Sequence, residues 1–364
     1  MDLGSGEAYN RIARNPCEWK ETRFSPRPGC RISAKIPFST ERRSVMKPKI
    51  LVTHKLLPKA MKILSEKYDF ELATSEPILE KAELIDKIRD KSGVLSLLVD
   101  QIDRDVIDAA PDLRIIANCA VGFNNIDVEY AGRKDIMVTN TPGVLTDATA
   151  DLTWALILSV ARRIPEADRY SRSLKFKGWE LDLFLGRDLT GKRLGIVGMG
   201  RIGRAVALRA QPFQMDVVYN DPHPLDPEEE QTMHALRLPL DELLATSDVI
   251  TLHTTLTPET HHLISKDRLN HMKPEAILIN VSRGPIVDEI SLAEALLKKH
   301  IWGAGLDVYE REPAIEEALL SLDNVVLLPH IGSASIQTRL KMSMMAVSNL
   351  IQGLEGRKPD NLVT

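Results

Sequence analysis

The sequence has few cysteines and almost no excess of charge. Its 364 residues include three widely spaced cysteines, Cys17, Cys30 and Cys119. That number excludes a disulfide framework and a zinc site built on paired cysteines, and it favours a reducing, cytoplasmic location. The 47 basic and 51 acidic residues leave a net charge of −4. Nothing in that balance indicates binding to nucleic acid or to an anionic membrane.

Long apolar runs are also absent. The most apolar stretch, from Leu152 to Ala161, is bounded by charged residues and is far shorter than the roughly 20 residues that cross a bilayer. The first 45 residues contain no apolar core of a secretory signal. With 43% hydrophobic and 27% charged residues the composition is that of a folded globular protein, and the length predicts at least two domains.

Residues 1–45 differ from the rest of the chain. They are rich in Arg, Ser, Pro and Gly without a sustained period, which predicts a flexible extension. Met46 directly precedes a strand-like run, so one interpretation is that translation starts there. The other is an Arg-rich transit peptide, and transit peptides are poor in acidic residues. Four acidic residues argue against it: Glu7, Glu18, Glu21 and Glu41.

From residue 47 onward, short apolar runs alternate with amphipathic stretches, which predicts parallel sheets covered by helices on both faces. Crossover helices are predicted at 57–66, 201–213 and 291–299. A helix over 147–163, apolar nearly all round and capped at Thr146 and Asp147, is predicted to be a buried strut between two lobes. The predicted strands span residues 49–54, 93–99, 113–119, 136–140, 193–198, 216–220, 248–253, 276–281, 303–308 and 324–328.

The clearest motif is a G-x-G-x-x-G sequence that starts at Gly198. A predicted strand precedes it and a predicted helix follows it, which is the context of a dinucleotide site. Its glycines permit a tight turn that brings a pyrophosphate to the helix N-terminus. Asp221 ends the next strand, 23 residues after Gly198, and no Arg or Lys follows it closely. An acid there binds ribose hydroxyls and repels a 2′-phosphate, so we predict NAD rather than NADP.

Three polar residues follow late strands: Arg283, Glu312 and His330. In doubly wound folds, ligands bind at the carboxyl ends of the strands, where these side chains would meet. A dehydrogenase of 2-oxo acids needs a cation for the substrate carboxylate, an acid/base for the carbonyl oxygen and a group that orients the acid/base. Each of these residues alone would be ordinary on a protein surface, and their spacing alone does not establish a catalytic role.

The order of motifs resembles the D-2-hydroxyacid dehydrogenase family, and within it the glyoxylate/hydroxypyruvate reductases, over about residues 48–362. The resemblance is carried by AVGFNNID at 120–127, TNTPGVLTDATAD at 139–151, the Gly198 motif, the Arg283 segment, GAGLDV at 303–308 and PHIGSAS at 329–335. It implies an α/β fold with two Rossmann-like, doubly wound parallel-sheet domains. The NAD-binding domain, residues 146–334, would be inserted into a substrate-binding lid domain made of residues 46–145 and 335–364. It also implies a homodimer.

The resemblance also implies roles for the polar residues. Arg283 would bind the substrate carboxylate and carbonyl oxygen, His330 would be the acid in reduction and the base in oxidation, and Glu312 would hydrogen-bond His330. A neighbouring carboxylate favours the imidazolium form. The cofactor would contact Thr149, Gly198, Met199, Gly200, Arg201, Ile202, Gly203, Asp221, Val281, Ser282, Arg283, Asp307, His330, Ile331 and Gly332. The substrate would contact Leu98, Val99, Val121, Gly122 and Arg283, and no metal is implied.

The expected function is therefore reduction of a small 2-oxo acid, glyoxylate or hydroxypyruvate, with NAD as cofactor. Many such reductases carry Ser or Arg near the Asp221 position and prefer NADP, so Asp221 departs from them. Two alternatives stay open. One is a 3-phosphoglycerate dehydrogenase without regulatory domains, although its substrate would need additional basic residues in the pocket. The other is an NAD(H)-sensing, corepressor-like interaction protein, which can retain the same three polar residues.

Overall fold

The computed structural model describes residues 47–74, 76 and 78–364. The extension predicted over residues 1–45 lies outside the described residues. The described chain forms two parallel sheets flanked by helices, as the sequence predicts. No helix in this part of the chain is long and apolar enough to cross a membrane.

The first sheet has five strands in the order β2-β1-β3-β4-β5, and all neighbours are parallel. Because β2 and β3 lie on opposite sides of β1, the chain reverses direction across the sheet at β1, and the loops after β1 and β3 diverge there. The strands are β1 (Ile50–His54), β2 (Phe70–Thr74), β3 (Gly93–Ser96), β4 (Ile115–Asn118) and β5 (Met137–Thr139). The connecting helices are α1 (Pro58–Lys67), α2 (Lys81–Ile88), α3 (Arg104–Asp108) and α4 (Val128–Arg133).

The second sheet has seven parallel strands in the order β12-β11-β10-β9-β6-β7-β8, with its reversal between β6 and β9. The strands are β6 (Arg193–Val197), β7 (Asp216–Asn220), β8 (Ala235–Arg237), β9 (Val249–Leu252), β10 (Ile277–Asn280), β11 (Gly303–Leu306) and β12 (Val325–Leu327). The helices are α5 (Thr146–Ala161), α6 (Ile164–Arg172), α7 (Arg201–Ala210), α8 (Pro227–Met233), α9 (Leu240–Thr246), α10 (Lys266–His271), α11 (Glu289–Leu297) and α12 (Glu317–Leu320). Short 3₁₀ turns occupy Gln211–Phe213 and Gly284–Ile286.

After the seven-stranded sheet, the chain returns to the first one. The last helix, α13 (Ile336–Leu354), packs against α1, β3 and β4. Leu362 then forms an antiparallel bridge with Thr139, and the amide of Val363 donates to the carbonyl of Val138 at 2.8 Å. The seven-stranded lobe is therefore inserted in the chain of the five-stranded lobe. The domain boundaries after residues 145 and 334 stay a prediction with which this packing agrees.

Both sheets are buried on both faces, which explains why their strands read as continuous apolar runs. In β6, Ile196 packs on one side of the sheet and Val197 on the other. In β1, Leu51 and Val52 likewise enter the two separate cores of the first lobe. Each such fully buried side chain stabilises the fold by about 1.5–3 kcal/mol relative to exposure.

The ten predicted strands are all present, and their ends differ from the predicted ones by at most three residues. Two strands were missed, β2 and β8, and both lie at edges of their sheets. An edge strand has one neighbour and exposes more of its side chains, so its sequence lacks a continuous apolar run. In β2 only Ala73 is buried, and in β8 only Ala235.

The predicted cap of the buried helix was wrong. Helix α5 begins at Thr146 after Leu145, and no side chain caps it. The carboxylate of Asp147 instead accepts a hydrogen bond from Arg209 of α7 at 3.0 Å, because α5 packs along α7 and the strands β10 and β11. The helix therefore belongs to the seven-stranded lobe, starting directly after the link between the lobes.

Candidate active site

The glycine motif forms a tight turn between β6 and α7. Gly198 has a φ of +94°, and a Cβ there would lie 2.6 Å from the backbone of His253. A Cβ on Gly203 would lie 2.2 Å from the carbonyl oxygen of Gly198, so this glycine lets the helix approach the strand. Beside Gly200 there is open space, and no side chain caps the first turn of α7. An open, uncapped helix N-terminus behind a glycine turn fits the pyrophosphate of a dinucleotide.

Asp221 ties the end of β7 to this turn. One of its carboxylate oxygens accepts from the backbone amide of Met199 at 2.7 Å, and the other from the amide of His223 at 2.8 Å. Its position beside the turn fits a contact with the ribose of a bound dinucleotide. Arg237 donates to the backbone carbonyl of Asp221 at 2.9 Å. This basic neighbour was missed from the sequence because β8 brings it there from 16 residues downstream.

Arg283 reaches from the seven-stranded lobe to the other lobe. Its Nε donates to Oδ1 of Asn124 at 2.9 Å, and its Nη1 to the carbonyl of Ser282 at 2.7 Å. A Cβ on Gly122 would lie 1.6 Å from Nη2 of Arg283, so only glycine allows this approach. Burial lowers the pKa of Arg283, while the nearby charge of Glu312 opposes that effect.

Asn280 holds the segment that carries Arg283. Its side chain donates to the carbonyl of Arg283 at 2.9 Å and accepts from the amide and the hydroxyl of Ser282. The sequence did not single out Asn280 or Asn124, although each lies within three residues of a predicted site residue. A buried asparagine at the last position of an apolar strand is the signal that would have indicated Asn280.

Glu312 and His330 form a hydrogen-bonded pair. The Nδ1 of His330 lies 2.8 Å from Oε2 of Glu312, and the other carboxylate oxygen accepts from the amide of Tyr309 at 3.1 Å. Burial acts to raise the pKa of Glu312, but the hydrogen bond from His330 and the charges of His330 and Arg283 hold it below its ordinary value. His330 has a φ of +53°, in the left-handed region that non-glycine residues adopt uncommonly.

Backbone contact brings the Arg283 and Glu312 segments together. A Cβ on Gly284 would lie 1.8 Å from the carbonyl carbon of Tyr309 and 2.4 Å from the amide nitrogen of Glu310. The hydroxyl of Tyr309 donates to the carbonyl of Leu328, close to His330. Three strand ends are thereby fixed relative to one another.

Asp307 holds the turn that follows His330. Its two carboxylate oxygens accept from the amides of Ile331 and Gly332, each at 2.7 Å, and burial raises its pKa. A Cβ on Gly332 would lie 3.2 Å from the carboxylate of Asp307 and 3.5 Å from Thr149, so these three predicted residues are neighbours. The expected contact of Asp307 with the nicotinamide stays a prediction.

The remaining predicted residues line the ends of strands on both sides of the cleft. Val281 and Met199 are buried, Arg201 is exposed, and Ile202 is partly buried in the first turn of α7. Leu98 and Val99 form the turn after β3, and Val121 and Gly122 lie after β4. Among these four substrate-lobe residues, the structure brings Gly122 directly against Arg283.

The prediction that no metal takes part also stays a prediction. Among the described residues, one group of metal-ligating side chains has its ligand atoms within 4.8 Å of one another: His261, His262 and Glu310. In the structure, Nε2 of His262 is hydrogen-bonded to Glu310 at 3.1 Å.

These features define a dinucleotide-binding lobe that faces a second α/β lobe. The strand ends of the first carry an Arg, a Glu–His pair and a turn whose backbone amides donate to the carboxylate of Asp307. A family model for the NAD-binding domain of D-isomer-specific 2-hydroxyacid dehydrogenases matches residues 154–332. The chain is also 47% identical to a glyoxylate reductase of Thermococcus onnurineus, over 87% of this chain and 96% of that protein. The chain belongs to the D-isomer-specific 2-hydroxyacid dehydrogenase family.

Solved structures agree with this assignment. A protein from Thermus thermophilus superposes with a TM-score of 0.82 at 47% identity, covering 87% of this chain and all of that one. An NADPH-dependent glyoxylate/hydroxypyruvate reductase from Sinorhizobium meliloti, in complex with NADP and malonate, superposes with a TM-score of 0.75 at 34% identity, covering 87% of this chain and 97% of that one. The chain is thus an NAD(P)-dependent dehydrogenase of the 2-hydroxyacid family, as its sequence predicts.

Proposed function

We propose that the protein reduces glyoxylate or hydroxypyruvate to the D-2-hydroxy acid, with NADH as the reductant. The observation that carries the proposal is that Arg283, whose charge acts on Glu312, stands between two partners. It donates to Asn124 of the facing lobe at 2.9 Å, and Glu312 is hydrogen-bonded to His330 at 2.8 Å. The glyoxylate reductases among the relatives support the choice of substrate.

Arg283 would bind the substrate. Its Nη2 lies against Gly122 and has no hydrogen-bond acceptor among the described residues, so this nitrogen is available to a carboxylate. The backbone amides of Val121 and Gly122 would bind the same group from the other lobe. A guanidinium also polarises a neighbouring carbonyl oxygen, which stabilises the negative charge that develops during reduction.

His330 would supply the proton. When bound, the cofactor provides the hydride for the carbonyl carbon, while Nε2 of His330 donates a proton to the oxygen. Glu312 would accept the hydrogen bond from Nδ1, which fixes the orientation of the ring. The side chains of this pair are 27% and 31% exposed, so they reach the cleft without being fully solvated.

Asp221 would select NADH. A carboxylate beside the adenosine ribose accepts hydrogen bonds from its hydroxyls and repels a 2′-phosphate. Arg237, which lies against the backbone of Asp221, would reduce that repulsion in part. The S. meliloti reductase is NADPH-dependent, so cofactor preference differs among similar proteins.

The active form would be a homodimer, joined through the segment that follows α6. This segment exposes Leu174, Phe176, Trp179, Leu181 and Leu185, each more than half accessible. These side chains lie within twelve residues of sequence, and monomers rarely expose large contiguous apolar patches. A second copy is the occupant that we propose, since an isologous interface pairs one such patch with itself. The cytoplasmic location predicted from the cysteines stays a prediction.

The test is a steady-state assay on protein that starts at Met46. NADH and NADPH would each be offered with glyoxylate, hydroxypyruvate, pyruvate and phosphohydroxypyruvate. We expect fast NADH oxidation with the first two substrates. A strong preference for phosphohydroxypyruvate would indicate a 3-phosphoglycerate dehydrogenase instead. Tight NADH binding without turnover of any substrate would favour an NAD(H)-sensing interaction protein.

A further inference from the structure

A buried histidine–aspartate pair lies behind the substrate-lobe loops, at the reversal point of the five-stranded sheet. His54 is the last residue of β1, and its Nε2 lies 2.9 Å from Oδ1 of Asp100, in the turn after β3. Their side chains are 9% and 0% exposed. The proposed mechanism uses neither residue, so this buried ionisable pair needs another explanation.

Both ring nitrogens of His54 face acceptors. Nε2 meets the carboxylate of Asp100, and Nδ1 lies 3.2 Å from the backbone carbonyl of Glu76. Only the doubly protonated imidazolium can donate at both nitrogens. The hydrogen bond to Asp100 raises the pKa of His54, although burial acts against it. Two acceptors facing one ring favour the protonated imidazole, and a contact between an imidazolium and a carboxylate is stronger than a neutral hydrogen bond.

Asp100 uses this anchor to hold the turn that contains Leu98 and Val99. Its second oxygen accepts from the hydroxyl of Thr53 at 2.6 Å and from the backbone amide of Leu97 at 2.7 Å. The amide of Asp100 donates to the carbonyl of Leu97 at 3.2 Å, which closes the turn. His54 thus fixes the carboxylate that shapes the turn.

The turn after β3 is joined to the loop after β4. Asn125 donates to the carbonyls of Leu97 and Asp100 at 3.1 and 2.9 Å. Asn118 donates to Asn125 at 3.3 Å and to the carbonyl of Gly122 at 3.0 Å. A continuous set of buried hydrogen bonds therefore runs from Asp100 to Gly122, the residue on which Arg283 lies.

We propose that His54 is a positioning residue for the substrate: through Asp100 it holds residues 97–100 and 120–125 in place against Arg283. The proposal rests on the proposed function, because those residues are the ones that would contact the 2-oxo acid. It goes further by assigning substrate affinity to a pair outside the cleft.

The main test replaces His54 with Leu in the full chain. Loss of one charge-assisted hydrogen bond to a buried carboxylate should raise the KM for glyoxylate about tenfold, while kcat changes less than about threefold. The affinity for NADH, measured by fluorescence, should stay the same because the other lobe binds it. His54→Gln retains an amide donor for Asp100, so it should restore KM to within about threefold of the parent value.

Lys91→Met is the matched control. Lys91 lies in the same lobe, is 8% exposed and pairs with Glu71 and Asp90, but it precedes β3 at the opposite end of the strand. It should lower thermal stability without changing KM. An equal KM increase in His54→Leu and Lys91→Met, or a KM unchanged in His54→Leu, would overturn the proposal. If His54→Leu does not fold, His54→Asn, whose shorter amide cannot reach Asp100, takes its place.

Hydrogen exchange separates this proposal from the proposed function. His54→Leu should speed amide exchange in residues 97–100 and 120–125, and Lys91→Met should not. If the parent protein reduces no 2-oxo acid, the proposed function fails, but this measurement still decides whether His54 holds the loops. Unchanged exchange in both loops would refute the positioning role even with an active parent enzyme.

Discussion

Replacing Arg283 with Ala tests the centre of the proposed mechanism. Two of its guanidinium nitrogens are engaged by Asn124 and the carbonyl of Ser282, and the third lies against Gly122. The change removes the cation that would meet the substrate carboxylate in a water-poor cleft. Truncating one partner of a buried, hydrogen-bonded charge pair costs about 2–5 kcal/mol. We therefore expect kcat/KM for glyoxylate to fall by about 30-fold to several thousand-fold.

Arg283→Lys keeps the charge but loses the planar guanidinium, so its kcat/KM should lie between those of the parent and Arg283→Ala. Arg311→Ala is the matched control, since its side chain is 75% exposed and contacts Glu316 at 3.7 Å. The assay is steady-state NADH oxidation, with NADH binding measured separately by fluorescence. A kcat/KM within about threefold of the parent value for Arg283→Ala would refute the assignment.

Three other substitutions test the surrounding geometry. Glu312→Gln replaces the carboxylate that orients His330 with a neutral amide, so kcat for reduction should fall at least about tenfold because a charge-assisted hydrogen bond is lost. An unchanged kcat would contradict the pairing. Asp221→Ser removes a charge that repels the 2′-phosphate, so kcat/KM with NADPH, divided by kcat/KM with NADH, should rise at least about tenfold. An unchanged ratio would mean that another residue determines the cofactor preference. Gly284→Ala should lower the free energy of unfolding by about 1–3 kcal/mol, because the new Cβ meets backbone atoms of Tyr309. Gly132→Ala is the control: only Thr364 lies near its Cβ, so the new methyl group should not lower the free energy of unfolding by steric overlap.

The central strands could be predicted because burial on both faces produces continuous apolar runs. The edge strands β2 and β8 could not, since each has a single buried residue. The cap of α5 was mispredicted because tertiary contacts cannot be read from a local pattern. Asp147 has the right chemistry for a cap, but a tertiary contact with Arg209 determines where its carboxylate lies.

The part of the candidate site that lies at strand ends could be predicted from the sequence. The Gly198 turn, Arg283, Glu312 and His330 all follow a strand, and parallel strands bring such residues to one edge. The contacts that orient them were not predictable. Asn124 meets Arg283 across 159 residues of sequence, and His54 meets Asp100 across 46. Neither pair leaves a periodic signal in the chain.

The two lobes divide the proposed chemistry between them. In the proposed mechanism, proton transfer and hydride transfer would belong to the seven-stranded lobe, because Glu312, His330 and the glycine turn all follow its strands. Substrate binding is shared, since Arg283 of that lobe lies on Gly122 of the other. The absence of a side chain at Gly122 lets the guanidinium approach the loop after β4, because a Cβ there would lie 1.6 Å from Nη2. A perturbation of the loops after β3 and β4 should therefore act on KM, and a perturbation of the Glu312–His330 pair on kcat.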